Sequence, residues 1–300
     1  MNAQETVLLA RNKGTVIPAF NIPYLPMLEA VVRAVVDENS VAIIHVARVE
    51  WEKFSAKSLE AVAEEYRKYE KPGYTLLGLD HVPVIDEDLK RVDYLPIIRR
   101  AIEAGFQSVM LDGSRLELKA NIEATAEIAA LAHSVGLACE GELGAVMGHE
   151  SGPMRPYEEI FANKLGFTDP EEAKQFARES RCDWMSVAVG NIHGAVAETT
   201  RHQKKLEARL DIAHIDLLSR AAGLPLVLHG GSGIPAPFIL KGIKAGIAKI
   251  NVGTEIRQAY EKTLEAAADV SLAREAVYKR VRELIAVMEI RNNRNLLFGD

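Results

Sequence analysis

The stretch LVLHGGSGIP, Leu226 to Pro235, decides how this chain is read. Leu226, Val227 and Leu228 form a short apolar run that fits a buried strand. The run ends at His229 and passes directly into Gly230, Gly231, Ser232 and Gly233. Glycines let backbone N–H groups approach an anion without a Cβ in the way, and Ser232 adds a hydroxyl donor. A strand that delivers an imidazole and then such a turn suits a metal beside a phosphate. Further on, KINVGTE (Lys249 to Glu255) repeats the design, with a strand, Asn251, Gly253 and Thr254. Two successive strands ending in phosphate-type loops are what the last strands of a (β/α)8 barrel often supply.

Working back from there, apolar strand-like runs alternate with helical stretches. VIPAFNI (Val16 to Ile22), VAIIHVA (Val41 to Ala47), YTLLGLDH (Tyr74 to His81) and FQSVMLD (Phe106 to Asp112) read as the first strands. VGLACEGEL (Val135 to Leu143), Trp184 to Val189, Leu226 to His229 and Ala248 to Val252 complete the set. Helices are expected at Met27 to Glu38, Ser58 to Tyr69, Tyr94 to Ala104 and Lys119 to His133. Another starts near Thr168-Asp169-Pro170-Glu171, and Glu255 to Ala267 and Leu272 to Met288 close the chain. Near-continuous apolar strand cores imply parallel pairing covered on both faces. No Pro/Gly/Ser linker interrupts the chain, so a single TIM barrel over residues 1–300, with a C-terminal helical extension, is expected. A doubly wound sheet is the alternative, but no GxGxxG follows the first strand.

Composition narrows the function classes. A formal net charge of −6 argues against nonspecific nucleic-acid binding, which needs a basic face. Cys139 and Cys182 are the only cysteines and form no CxxC pair, which suits a reducing, cytoplasmic setting. The N-terminal MNAQETVLLARNKG lacks signal-peptide character, and no stretch approaches the ~18 apolar residues of a membrane span.

The polar residues support the barrel. Asn21, Asp80, His81, Asp112, Glu142, His193, His229, Asn251 and Thr254 all fall at or just after strand C-termini, the rim that carries chemistry in this fold. His81, His193 and His229 follow the third, sixth and seventh strands, and three converging imidazoles suit a Zn²⁺ site with an open position. His45 and His149 are further candidates to line the pocket, whereas His133, His202 and His214 read as helix or loop residues.

The motifs LDH (79–81), SVMLDGS (108–114), EGELG (140–144), VAVGNIHG (187–194), LHGGSG (228–233) and NVGTE (251–255) occur in an order that resembles the class II, metal-dependent fructose-bisphosphate and tagatose-bisphosphate aldolase family. The resemblance runs from Pro18 through Glu255. It implies a zinc-dependent aldolase that reversibly cleaves a ketose 1-phosphate or 1,6-bisphosphate to dihydroxyacetone phosphate and an aldehyde. By this resemblance, His81, His193 and His229 would bind Zn²⁺, with Glu142 and Asp112 at or near a second metal position. Asp80 would be the acid/base on the C4 hydroxyl, and Glu150 the loop carboxylate that exchanges the proton next to the carbonyl. Asn21, Gly194, Gly230, Ser232, Asn251, Gly253 and Thr254 would form the substrate- and phosphate-binding set. A monovalent cation (Na⁺ or K⁺) near the phosphate and a homo-oligomer (dimer or tetramer) are also implied.

The residue types suit that chemistry. Cleavage requires removal of the C4 hydroxyl proton, stabilisation of an enediolate and a Lewis acid where no Schiff-base lysine is used. Asp80 and His81 are adjacent, so an ideal strand would send them to opposite faces. Both reach one pocket only if the chain leaves the pleat there. The loop from Gly144 to Gly166, which carries Glu150, is expected to act as a lid.

The chain also departs from the family pattern. Val82 stands where the family usually has Gly, and a longer charged segment, PVIDEDLKRVDY (Pro83 to Tyr94), follows on the catalytic rim. Met147 replaces one of a glycine pair in the lid, Val196 removes an aromatic after His193, and the tail EIRNNRNLLFGD lacks the usual FGSAGK-type ending. Gly253, where fructose-specific members of one branch carry Asp, points away from that branch. The phosphate half is therefore expected to be intact, with the aldehyde side altered. A zinc-dependent hydrolase or lyase on a phosphorylated sugar or acid, and a noncatalytic companion subunit of an aldolase, are the alternatives.

Overall fold

In the computed structural model, which describes residues 1–144, 146, 156–192 and 208–299, the apolar runs form a closed parallel barrel. Its strands are β1 (Ile17–Asn21), β2 (Ala42–Ala47), β3 (Thr75–Asp80), β4 (Ser108–Asp112), β5 (Ala138–Leu143), β6 (Trp184–Val187), β7 (Leu226–Leu228) and β8 (Ile247–Val252). Each pairs in parallel with its sequence neighbours, and β1 pairs with β8 through Ile17–Lys249 to Phe20–Val252. Gly78 opposite Ser108 joins β3 to β4 and completes the ring. A Cβ at Gly78 would lie 2.5 Å from His45 Nε2, so only glycine lets the His45 ring lie against that strand.

Side-chain parity sorts the strands into two layers. Phe20, Ile44, Val46, Leu77, Leu79, Val109, Leu111 and Ile250 face outward into the large core shared with the helices. Ile17, Ala19, Ile43, Leu76, Ala138, Trp184 and Val227 join a smaller cluster inside the lower barrel. The helix Ala3–Lys13 contributes Ala3, Val7 and Ala10 to that inner cluster. The Asn2 side chain caps this helix at Glu5 N–H (3.2 Å), and Gly14 closes it at φ 64°. Continuing the inward parity upward places Asn21, His45, Asp80, Asp112, Glu140, Glu142, His229, Lys249 and Asn251 in the upper barrel.

The structure differs from the sequence expectations mainly at element ends. Val135 to Leu137 turn through Gly136 (φ 75°), so the fifth strand starts at Ala138. The loop after β5 includes a helix, Tyr157–Ala162. Asp169 caps the helix Pro170–Ser180 through Glu171 and Glu172 N–H, whereas Thr168 spends its hydroxyl on Leu143 O (2.5 Å) and Ala188 N–H (2.9 Å). The C-terminal helix Val270–Val287 packs on Met27–Asp37, with Arg33–Glu275 and Arg274–Glu29 ion pairs across the contact. Beyond it, Asn293 Oδ1 accepts Ser40 Oγ and Val41 N–H, tying the tail to the start of β2. Among the described residues, no helix is long and apolar enough to cross a membrane.

Candidate active site

β3 delivers Asp80 inward, and at His81 the chain turns to φ 22° before Val82–Pro83 resume pairing with Leu111 and Asp112 of β4. A non-glycine residue with positive φ is uncommon, and the surrounding structure must hold it there. The turn has a use: it puts two sequence-adjacent side chains into one pocket. Asp80 is buried, and its oxygens accept Asn251 Nδ2 and Asn21 Nδ2, each at 2.8 Å. His45 Nδ1 lies 3.6 Å from Asp80 Oδ1. Burial alone would raise the Asp80 pKa, but His81, His45, His229 and Lys249 outweigh it and hold the group well below the usual carboxylate range.

His81 Nε2 and His229 Nδ1 lie 2.6 Å apart. The far side of His229, Nε2, meets Glu140 Oε1 at 2.7 Å. His81 Nδ1 is 3.4 Å from Asp112 Oδ2 and 3.7 Å from Glu142 Oε2. Two overlapping clusters result: Asp80, His81 and His229, and His81, Asp112 and Glu142. In each, one donor atom per residue lies within 4.8 Å of the others.

The electrostatics favour a cation here. Burial would depress the His81 pKa, yet Asp80, Glu142 and Asp112 reverse this and push it up to about 10. Glu142 is raised well above its ordinary value, by burial and by neighbouring Asp112. Its Oε2 is buried and accepts no hydrogen bond among the described residues. A buried carboxylate oxygen with no donor, beside two facing imidazoles, fits a divalent ion better than it fits the protein alone. Asp112 is held in place by Ser114, through Oγ at 2.6 Å and N–H at 3.0 Å.

The glycine turn after β7 folds against the end of β8. Gly231 N–H donates to Asn251 O (3.2 Å), and a Cβ at Gly231 would come within 2.6 Å of Ile250 Cγ2. Gly230 and Gly233 take φ 63° and 80°. Gly233 N–H donates to Glu255 Oε1 at 2.7 Å, and Glu255 is ion-paired with Arg280. Ser232, Thr254 and Gly231 line one cleft at the start of the helix Thr254–Ala267. Gly253 precedes that helix, beside Asn21. The side chains of Asn21 and Asn251, expected in the substrate- and phosphate-binding set, donate to Asp80.

The charged segment after His81 is a hairpin. Val92 N–H donates to Val84 O and Asp86 N–H to Lys90 O, at 3.0 and 2.9 Å. Asp86 Oδ1 accepts the Asp88 and Lys90 N–H groups, and Leu89 at the tip is exposed with φ 62°. Arg48 pairs with Asp86 (3.5 Å) and Lys53 with Glu87 (2.6 Å), tying the hairpin to the chain after β2. A narrow cleft beside His81 and Asp112 is lined by Arg48, Ile85, Glu87 and Arg115.

Of the expected site residues, Asp80, His81, Asp112, Glu142 and His229 come together, whereas His193, Glu150 and Gly194 lie outside the described residues. His149 and His202 also lie outside them. His214 bonds Thr168 O and His133 bonds Asp183, as structural residues do. Burial, then Lys249, lowers the His45 pKa to about 3, so its imidazole is neutral beside Asp80. Sequence reasoning missed Glu140, Lys249, Glu50 and Asn191, whose side-chain amide donates to His229 O at 2.9 Å. The signal for Glu140 and Lys249 was their inward parity with Glu142 and Asn251.

The class-II fructose-bisphosphate aldolase family model matches residues 1–293. A probable fructose-bisphosphate aldolase of Bacillus subtilis is 32% identical over 293 residues, covering 92% of this chain and 93% of that protein. The fructose-bisphosphate aldolase of Staphylococcus epidermidis is 30% identical over 273 residues, covering 88% and 84%. Among solved structures, the YdjI aldolase of Escherichia coli K12 superposes with a TM-score of 0.74 at 27% identity over 95% of both chains. A fructose-bisphosphate aldolase from Campylobacter jejuni shares the fold, with a TM-score of 0.71 at 19% identity over 94% of this chain and 93% of that one. The barrel, the paired imidazoles on its rim and the whole-chain match lead to one assignment: this chain belongs to the class-II fructose-bisphosphate aldolase family, whose members are carbon–carbon lyases.

Proposed function

We propose that the chain cleaves a ketose 1-phosphate or 1,6-bisphosphate to dihydroxyacetone phosphate and an aldehyde, with Zn²⁺ held by His81, His229 and His193. The convergence of Asp80, His81 and His229 carries the reading. When bound, zinc supplies the Lewis acidity that draws electron density from the C2 carbonyl. Asp80, ionised and held by two amides, takes the C4 hydroxyl proton and returns it in the condensation direction. Glu142 and Asp112 offer a neighbouring metal position. Glu150 is assigned the second proton carrier.

The turn Gly230–Gly233 with Thr254 is the proposed cradle for the phosphate, joined by Gly194 and, near it, a Na⁺ or K⁺ ion. The Ser232 hydroxyl and a glycine turn lining one cleft beside a helix start support this. The aldehyde portion is assigned to the cleft under the hairpin, because that cleft opens next to His81 on the side of Asp112. Residues 1–300 are read as one such barrel with a helical extension, working in the cytoplasm as a dimer or tetramer.

Deuterium exchange at C3 of dihydroxyacetone phosphate tests the reading without a guess about the aldehyde. Zinc-loaded protein should exchange, chelator-treated protein should not, and added zinc should restore the exchange. Folded, zinc-loaded protein that leaves C3 protonated would overturn it.

A further inference from the structure

Inside the upper barrel lies a charged pair with no step assigned to it. Lys249 is fully buried in β8, and its Nζ donates to Glu140 Oε2 at 2.7 Å and to Asn251 Oδ1 at 2.6 Å. Glu140, in β5, also accepts Trp184 Nε1 on Oε2 (2.6 Å) and meets His229 Nε2 with Oε1 (2.7 Å). Asn251 donates onward to Asp80 Oδ1 at 2.8 Å. One lysine is therefore two contacts away from a proposed metal ligand on one branch, and from the proposed acid/base on the other.

We infer that Lys249 is a positioning residue that orients His229 through Glu140 and Asp80 through Asn251. The inference rests on the proposed reading of the site as a metal centre. A histidine can bind a metal through only one nitrogen, and a carboxylate on the other fixes which one. Glu140 on Nε2 keeps the proton there and turns the Nδ1 lone pair toward His81. The carboxylate needs a fixed partner to hold that place, and Lys249 is the buried cation that supplies it.

The second branch works by donor and acceptor sign. Lysine can only donate, so it holds the oxygen end of the Asn251 amide. That leaves the NH₂ end for Asp80. A flipped amide would set oxygen against oxygen on Asp80 and a donor against a donor on Lys249. An apolar residue of the same length would fill the space and set neither branch.

Full-length Lys249→Met and the double variant Glu140→Gln with Lys249→Met test this. The single variant strands a buried carboxylate and is expected to unfold at a lower temperature. The double variant removes both charges, so it should fold, yet still bind zinc about 10–100-fold more weakly in chelator competition. Its cobalt-substituted form should show a changed visible spectrum, and kcat for ketose cleavage should fall more than KM rises. A structural plug would move the melting temperature and none of these. A folded double variant with wild-type zinc affinity and cobalt spectrum would overturn the inference, while wild-type C3 exchange would show that the functional reading itself stands. Wild-type protein that bound no zinc would overturn both.

Discussion

His81 and His229 face each other edge to face, their rings at 89° and their near nitrogens 2.6 Å apart. Each reaches this place by a different device. His229 follows β7 at inward parity, whereas His81 leaves its strand through a positive φ. On its far side each has a carboxylate neighbour, Glu140 for His229 and Asp112 with Glu142 for His81. Such partners orient metal-binding imidazoles and raise their basicity.

Removing one imidazole should therefore uncouple metal from fold. His229→Ala is expected to remain folded, lose its stoichiometric zinc and lose C3 exchange, with zinc content read by elemental analysis. Retained zinc at wild-type affinity would show that His229 is not a ligand.

Asp80 predicts a division of labour. Asp80→Ala should keep zinc and retain exchange on dihydroxyacetone phosphate, while ketose cleavage falls by roughly 10²–10⁴-fold. The split follows from the proposed assignment of the C4 hydroxyl proton to Asp80 and the C3 proton to Glu150. If cleavage and exchange fell together, Asp80 would be serving the metal or the fold and not the hydroxyl.

Glu50 supplies a pH test. It is buried, its Oε2 accepts Ala47 N–H at 2.8 Å, and it lies near Asp80. Burial, then the Asp80 charge, pushes its pKa up to about 8 despite the Ala47 hydrogen bond. The folded state thus keeps a proton that the unfolded chain releases near its ordinary value of 4.5. The associated stability is fully present below that value and is lost progressively as pH rises to about 8. Glu50→Gln should remove the loss, raising stability at pH above 8 by up to roughly 5 kcal/mol and giving no gain at pH 4. Thermal melts of both proteins across this range decide it; a difference that did not vary with pH would sink the argument.

The same residues show what sequence can and cannot reveal. The strands were legible because their apolar runs are continuous, and the rim residues because strand C-termini are easy to locate. The pocket shared by Asp80 and His81 was also legible, since it required the chain to leave the pleat, as it does at φ 22°. Lys249 was not, because a lysine within a strand ordinarily reads as solvent-facing; its partner Glu140 lies far away in sequence. Helix Ala3–Lys13 has a narrow apolar face, with Val7 and Ala10 buried, so its periodicity is weak. The contacts of Asn21 and Asn251 with Asp80 were not legible either, because an amide's partner depends on tertiary contacts that spacing does not encode.

The hairpin makes a prediction about scope. Ile85 lines the cleft beside His81, so Ile85→Ala should widen only the proposed aldehyde side. Relative kcat/KM for a longer over a shorter aldehyde should rise by about 10-fold, the scale of small changes in an apolar pocket. Exchange on dihydroxyacetone phosphate alone should stay within about twofold of wild type on the same reasoning. An unchanged aldehyde preference would place that substrate elsewhere on the rim.

Glu255 and Arg280 make the opposite prediction, confined to the phosphate side. Arg280 reaches from the helix Val270–Val287 to Glu255, and Glu255 Oε1 holds Gly233 N–H at 2.7 Å. The Glu255 N–H also lies 3.4 Å from Ser232 Oγ. The glycine turn has little side-chain packing of its own, so this carboxylate fixes the direction of its N–H groups. Glu255→Ala should loosen the turn and weaken dihydroxyacetone phosphate binding by about 10-fold, roughly the loss of one charged hydrogen bond. Because the chemical groups are untouched, the exchange rate at saturation should change little. Arg280→Ala should act in the same direction but more weakly, since Glu255 keeps its bond to Gly233. Titration of the phosphate compound alongside saturating exchange rates separates the two effects. A lower saturating rate with unchanged affinity would mean that the brace acts on the reacting centre instead.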